Sequence, residues 1–146
     1  MQRVREASVR VAGREVSRIG PGLLVLAGIA SNDAHDDLQW LAHKLIDLRI
    51  FDDDNGVMNR SVLVANGAVL AVSQFTLYAS TRKGNRPSWS RAAAPDVAQP
   101  HFAAFVQLLG ERLGKPVPTG VFGAHMEVAL VNDGPVTIWL DSKARE

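Results

Sequence analysis

Five small polar side chains, Ser73, Gln74, Thr76, Ser80 and Thr81, follow directly on the apolar run "AVLAV" of this 146-residue chain. Hydroxyl and amide groups at the end of a buried strand can hold a carbonyl, a ribose or a water, and segments leaving a rigid strand are where such sites gather. A polar strand end that hydrogen-bonds its own turn is the competing description. The same stretch runs on into "RKGNRPSWSR" (82–91), which sets Arg82, Lys83, Arg86 and Arg91 beside Trp89. No acidic residue occurs between Asn55 and Pro95, although the formal net charge of the whole chain is only +1. A basic loop carrying an aromatic can meet phosphates and stack a base. The charge is too local for a duplex-DNA footprint and suits a short single-stranded segment, unless the loop is simply solvated surface.

Other chemistries fail on residue type or spacing. With no cysteine there is no disulfide framework, no thiolate catalysis and no Cys-based metal site. His35, His43, His101 and His125 are scattered and make no i, i+4 pair with a third ligand, so neither metal nor cofactor is expected. "FDDDNG" looks like a calcium loop, yet with Gly56 at its sixth position the first and twelfth would be Phe51 and Val62. No nucleophile elbow, Walker or dinucleotide-binding glycine pattern is present. Nothing in the spacing favours a Ser-His-Asp triad.

A second unusual stretch is "VALVNDGPVTIWL" (128–140), two apolar runs joined by Asn132, Asp133, Gly134 and Pro135. Asp-Gly between such runs predicts a hairpin. Proline directly after it is out of place, because it brings no N–H to the ladder where a second strand should start.

The elements that must position these groups follow from periodicity. "RVREASVRV" (3–11) alternates as a half-buried strand does, "VSRIG" supplies a second, and "LLVLAGI" (23–29) is apolar on both faces and so should be central in a sheet. Leu38, Leu41, Leu45 and Leu48 recur at helical spacing, predicting a helix over 34–48 with Asn32 or Asp33 as N-cap. The first half of "GAVLAVSQFTLYA" (67–79) reads as a buried strand. Phe102, Phe105, Val106, Leu109 and Leu113 share one face of a second helix, opened by Asp96 and closed by Gly114. "GVFG", "MEVALVN" and "PVTIWLD" are expected as the final strands. The order predicts one compact α/β domain over residues 1–146, with mixed or antiparallel sheets, two-layered or barrel-like, and two main helices on one side. The longest apolar run, "LLVLAGIA", is too short to span a bilayer, and the N-terminus lacks the apolar segment of a secretory signal, so a cytoplasmic setting and no membrane partner are expected.

Taken together, "IGPGLLVLAGI", "LRIFDDDNGVMNRS", "SQFTLYASTRKGNRPSW", "TGVFGAHMEVALVNDGPVT" and the final "LDS" resemble the D-aminoacyl-tRNA deacylase (D-tyrosyl-tRNA deacylase) family. The stretches are colinear and cover most of the chain. "SQFTLYA" with "NDGPVT" at this separation is the most specific pairing. The resemblance implies a homodimer with its active site at the subunit interface. The implied activity is hydrolysis of the ester between a D-amino acid, or glycine, and the terminal ribose of tRNA. The partner is then the aminoacyl-tRNA acceptor end.

Carried over by motif, Ser73, Gln74 and Thr76 would be the catalytic group, positioning and polarising the ester, with help from the 2′-hydroxyl of the substrate. Phe75 and Met126 would bind the terminal adenosine. Gly134 and Pro135 would form a Gly-cis-Pro pair that enters the pocket of the partner subunit and excludes L substrates. Arg82, Lys83 and Arg86 would face the tRNA. Three departures accompany the match. The chain opens at "MQRV", where the family carries a few more residues in the first strand, so either the edge pairing is shorter or the start is misassigned. Ser80 stands at an often acidic position, and Trp89 stands where phenylalanine is usual. Two readings of other classes remain open: a non-catalytic RNA 3′-end binding module, and a small esterase with Thr76 or Ser73 as nucleophile.

Overall fold

The computed structural model describes residues 1–145. Its strands are β1 (Gln2–Val11), β2 (Arg14–Ile19), β3 (Gly22–Ala27), β4 (Phe51–Asp52), β5 (Met58–Arg60), β6 (Ala68–Ser73) and β7 (Glu127–Thr137). Its helices are α1 (His35–Asp47) and α2 (Pro95–Leu113), and a 3-10 turn (Phe75–Tyr78) follows β6.

β1 organises the sheet. One of its edges takes β3 over Gln2–Val4 and β2 over Ala7–Val11, while the other takes β7 along most of its length, all antiparallel. β3 continues the sheet to β6, which runs parallel to it. The central, two-faced strand is therefore β3, as its composition predicts. Leu23 and Val25 face the helices with Val69 and Ala71 of β6, whereas Leu24, Leu70 and Val72 join Val4, Ala7, Val9 and Ile19 inside the curl of the sheet. Burying both faces of one strand requires this near-continuous apolar run. The result is a curled mixed sheet with both helices on its outer face.

The helices pack through the stripes expected of them. Leu38, Ala42, Leu45 and Ile46 of α1 meet Phe102, Phe105, Leu109 and Leu113 of α2 over the sheet. Gly114 ends α2 in the left-handed region at φ 72°, where its N–H reaches the Gly110 carbonyl at 2.9 Å. The N-caps differ from expectation. α1 is preceded by Ala34, whose N–H is accepted by Asp37 Oδ2 at 2.9 Å, while Asp33 turns its carboxylate back to the Ala30 N–H at 2.8 Å. Asp33 is thus committed to the preceding turn, and Asn32 lies outside the cap position. α2 opens at Ala94 with Pro95 at its first position, leaving Asp96 in the first turn.

Three strand expectations also change. β1 does not keep strict alternation. Val4 sits opposite Asn132 and Glu6 opposite Val131, so two residues of β1 face one of β7. That bulge at Arg5 lets Val4 and then Ala7 and Val9 all point inward. "GVFG" forms a turn, and the segment before it only touches β6 through an isolated bridge at Thr119. The predicted hairpin at 132–135 does not form, because β7 runs through it without reversing. Thr137 pairs with Gln2 and Asn132 with Val4, so five steps on β7 match two on β1, and the excess is looped out. Local Asp-Gly chemistry permits reversal, but pairing of both halves with the same strand holds the direction.

Candidate active site

β6 ends at Ser73, and the chain is fixed immediately beyond it. The Gln74 N–H donates to the Ala27 carbonyl of β3 at 2.8 Å, extending the parallel ladder by one residue. The 3-10 turn then rises from the sheet. Gln74 Nε2 donates to the Thr76 hydroxyl oxygen within this turn. No His or carboxylate bonds to Thr76 among the described residues, so nothing there takes its proton as a base. Its hydroxyl is oriented by the Gln74 amide.

A cleft of about 490 Å³ opens beside the turn. Ser73, Gln74 and Phe75 form one wall, Trp89, Ala92 and Pro95 a second, and Phe122, His125 and Met126 a third. Phe75 is 54% exposed, and its ring meets Trp89 edge-on with centroids 5.4 Å apart. Two aromatic rings with open faces beside polar groups can take a flat heterocycle. Met126 lies close against Gly120, where any side chain would displace its sulfur. The cleft thus gathers Ser73, Gln74, Phe75 and Met126 from two distant segments, with Thr76 anchored through Gln74.

Gly134 and Pro135 are not among its lining residues. They lie exposed on the looped-out part of β7, and their peptide bond is cis. Gly134 has φ 122°, and a Cβ there would sit 2.9 Å from the Val136 nitrogen. Asn132 Nδ2 donates to Thr137 Oγ1 at 3.0 Å across the base of the loop. From beneath, the loop is held by Arg3, a residue sequence reasoning passed over. Its side chain is 8% exposed, its Nε donates to the Asp133 carbonyl at 3.3 Å and lies 3.2 Å from Asp133 Oδ2, and its Nη1 donates to the Ile50 carbonyl. The Asp133 carboxylate also meets Arg5 at 3.3 Å. Alternation along β1 marks Arg3 only as a strand charge, and its partners at Ile50 and Asp133 are far away in sequence.

Arg82, Lys83 and Arg86 are exposed in the basic loop, whose base is closed by paired hydrogen bonds between Ser80 and Ser88 at 2.8 and 2.9 Å. Arg91 leaves that group and lies over the Tyr78 ring at 6.0 Å. Burial, then the nearby carboxylates of Asp33 and Asp141, push the Tyr78 hydroxyl up to about 12, so it stays protonated. Missed as cleft residues were Ala92, Pro95, Phe122 and His125. "FGAHM" flags the last of these only once Met126 is placed. Among the described residues no group of three or more His, Asp or Glu is placed to hold a metal ion, and no helix is long and apolar enough to cross a membrane.

Comparison with known proteins shows which family the chain resembles. The family described as D-Tyr-tRNA(Tyr) deacylase matches residues 1–141. A D-aminoacyl-tRNA deacylase of Dechloromonas aromatica is 63% identical over 146 residues, covering 100% of this chain and 97% of the relative. One from Parabacteroides distasonis is 58% identical over 99% of this chain and 97% of its own length. A solved structure described as c-Myc DNA Unwinding Element Binding Protein superposes with TM-score 0.91 at 40% identity, over 98% of this chain and 97% of the other. A probable eukaryotic D-amino acid tRNA deacylase shares the fold, with TM-score 0.76 at 18% identity over 92% of each chain.

Proposed function

The chain belongs to the D-Tyr-tRNA(Tyr) deacylase family, and from that premise we propose that its cleft hydrolyses the ester joining a D-amino acid to the terminal ribose of tRNA. The observation that carries the reading is the convergence of Ser73, Gln74, Phe75 and Met126 on one cleft, with Thr76 held by Gln74 and no base beside it. The terminal adenine occupies the aromatic side, between Phe75 and Met126. Ser73, Gln74 and Thr76 orient the carbonyl and the attacking water. An aminoacyl ester is already activated, so positioning and polarisation suffice and no acyl-enzyme is formed. Arg82, Lys83 and Arg86 meet acceptor-end phosphates, as their exposure allows.

Stereochemical choice comes from a second copy of the chain. Gly134 and Pro135 project outward from β7 and away from their own cleft, a placement suited to completing the cleft of a partner in a homodimer. Val131 and Trp139, 46% and 64% exposed near that loop, supply apolar surface for the contact. Backbone carbonyls and the proline ring form a wall that an L side chain strikes and a D side chain points away from. Glycine, with no side chain, passes. Rejection of this kind is steric and indifferent to which D side chain is present. The DNA-binding description of the 40%-identical structure stays with that protein.

The test is a paired assay with D-, glycyl- and L-aminoacyl-tRNA. Release from the first two and retention of the third is expected. Equal turnover of D and L, or of none, overturns the reading, and a covalent adduct on Thr76 or Ser73 in a quenched reaction would replace it by the nucleophilic esterase.

A further inference from the structure

With the terminal adenine between Phe75 and Met126, Trp89 on the second wall of the cleft is left without a ligand. Its side chain is large, apolar and 38% exposed. Phe75 meets it with the two ring planes 81° apart. An edge-on contact covers at most one face of either ring, so bare aromatic surface remains on both. Isolated exposed aromatics are ordinary, but two adjoining ones at the mouth of a cleft form a surface for flat ligands.

The Trp89 backbone is held from both sides. Just before it, Ser88 exchanges two backbone hydrogen bonds with Ser80. Just after it, the Trp89 carbonyl accepts from the Ala92 N–H at 2.9 Å, and the Ala93 N–H donates to the Ile29 carbonyl at 2.9 Å. An isolated bridge between Ala30 and Ala92 ties the same segment down again. A solvated surface loop has no use for such anchoring. A tryptophan fixed in this way is a preorganised platform, because its ordering is completed in folding and is not charged to binding.

Orientation selects what the platform takes. A base flat on Phe75 and a base flat on Trp89 stand nearly at right angles. Bases stacked on one another are parallel, so a stacked strand cannot use both rings. A strand whose last two nucleotides splay apart can, and proteins commonly read single-stranded RNA in that unstacked form. The direction is also set. From Phe75 to Trp89 the path leads away from Ser73 and Gln74 and toward the loop that carries Arg82, Lys83 and Arg86, all exposed. Phosphates upstream of the terminal nucleotide run the same way.

We propose that Trp89 is the seat of the penultimate base of the tRNA 3′ end, held by stacking and splayed from the terminal adenine. The inference rests on the deacylase reading of the cleft and extends it by one nucleotide. Stacking reads a π-face, so the identity of that base matters little while its presence matters. The seat thereby favours esters carried on an RNA end over esters of a free nucleoside.

Three D-tyrosyl esters separate the two seats: one of the dinucleotide CpA, one of UpA, and one of the same dinucleotide with an abasic penultimate residue. The kcat/KM of the CpA ester should exceed that of the abasic ester about tenfold, within the range for one base on one aromatic ring. The UpA ester should match CpA to within about threefold. Trp89→Ala should bring the ratio of CpA to abasic close to unity, and Trp89→Phe should retain most of it. A ratio near unity in the unaltered protein, or one that Trp89→Ala leaves in place, overturns the proposal. Binding is followed without hydrolysis through the indole N–H resonance of Trp89, identified among three tryptophans by its loss in Trp89→Phe. Unesterified CpA should shift it further than the abasic form does. Equal shifts overturn the seat even where no ester is cleaved. Absent hydrolysis of every D-ester with the CpA shift intact counts against the deacylase reading and leaves the seat standing.

Discussion

The segments Ser73–Tyr78 and Asn132–Thr137 both interrupt a strand with polar and turn-forming residues, and they end in opposite shapes. The first folds inward. Gln74 stays on the ladder through Ala27, its side chain holds Thr76, and the polar groups border a concavity. The second is pushed outward, since the residues between Asn132 and Thr137 exceed what β1 can pair, and Arg3 secures the excess from below. One region receives and the other projects, and neither reaches the other within one chain. Under the proposed function the two meet only when two copies associate.

That contrast can be attacked at its strongest support first. Arg3→Met removes the charge that holds Asp133 and leaves the Ile50 carbonyl without its donor. Arg3 is buried, but Asp133 is a third exposed and keeps Arg5, so losing the charged hydrogen bonds should cost about 2 kcal/mol in denaturant unfolding. The same variant should lower the preference for D over L substrate more than it lowers D turnover. A variant with full stability and unaltered preference would show that the projecting loop holds itself.

The receiving side is tested by Gln74→Ala, which frees Thr76 and removes a polarising amide. Turnover should fall by about 10²-fold, the usual loss for one such donor. Thr76→Val should lose no more than that. Complete inactivity of Thr76→Val beside a working Gln74→Ala would restore the nucleophile to consideration, and mass spectrometry of the quenched enzyme would then decide.

Asp37 lies outside both regions and serves as the control. Its carboxylate accepts from Lys143 and from the Ala34 N–H, which hold it below its ordinary value near 3.8. A depressed carboxylate contributes stability that is complete above its unfolded-state value and lost as pH falls through the folded one. Asp37→Asn should therefore cost about 1 kcal/mol at pH 7, with the gap closing below about pH 4. Neither D/L preference nor substrate affinity should change. The smallest effect is expected from replacing Arg82, Lys83 and Arg86 together by alanine. Affinity for aminoacyl-tRNA should weaken severalfold, and the slope of log K against log salt should flatten by about 2.

The helices were legible because their apolar stripes repeat every three to four residues and are short-range facts. β3 was legible because only a strand covered on both faces reads as a continuous apolar run. Ser73, Gln74 and Phe75 were marked by position, as polar groups at the end of such a strand. The looped-out part of β7 reads as a hairpin in the sequence because Asp-Gly carries the same local chemistry in both. Only the pairing of both halves with β1 separates them. Arg3 was invisible for a related reason, since its burial is decided by Ile50, Asp52 and Asp133. Among the cleft residues, Ala92 and Pro95 have no chemistry of their own to announce them.

The bulge at Arg5 divides β1 into two phases of alternation. Ahead of it, Val4 points into the curl and Arg3 points to the other face; after it, Ala7 and Val9 point into the curl. Forcing Arg5 into regular alternation would impose a choice, because one uninterrupted phase that includes it puts Arg3 on the same face as Ala7 and Val9. The insertion acts as a phase shifter. It lets one segment of the strand be selected for packing and the other for holding a loop, with neither constraining the residues available to its neighbour.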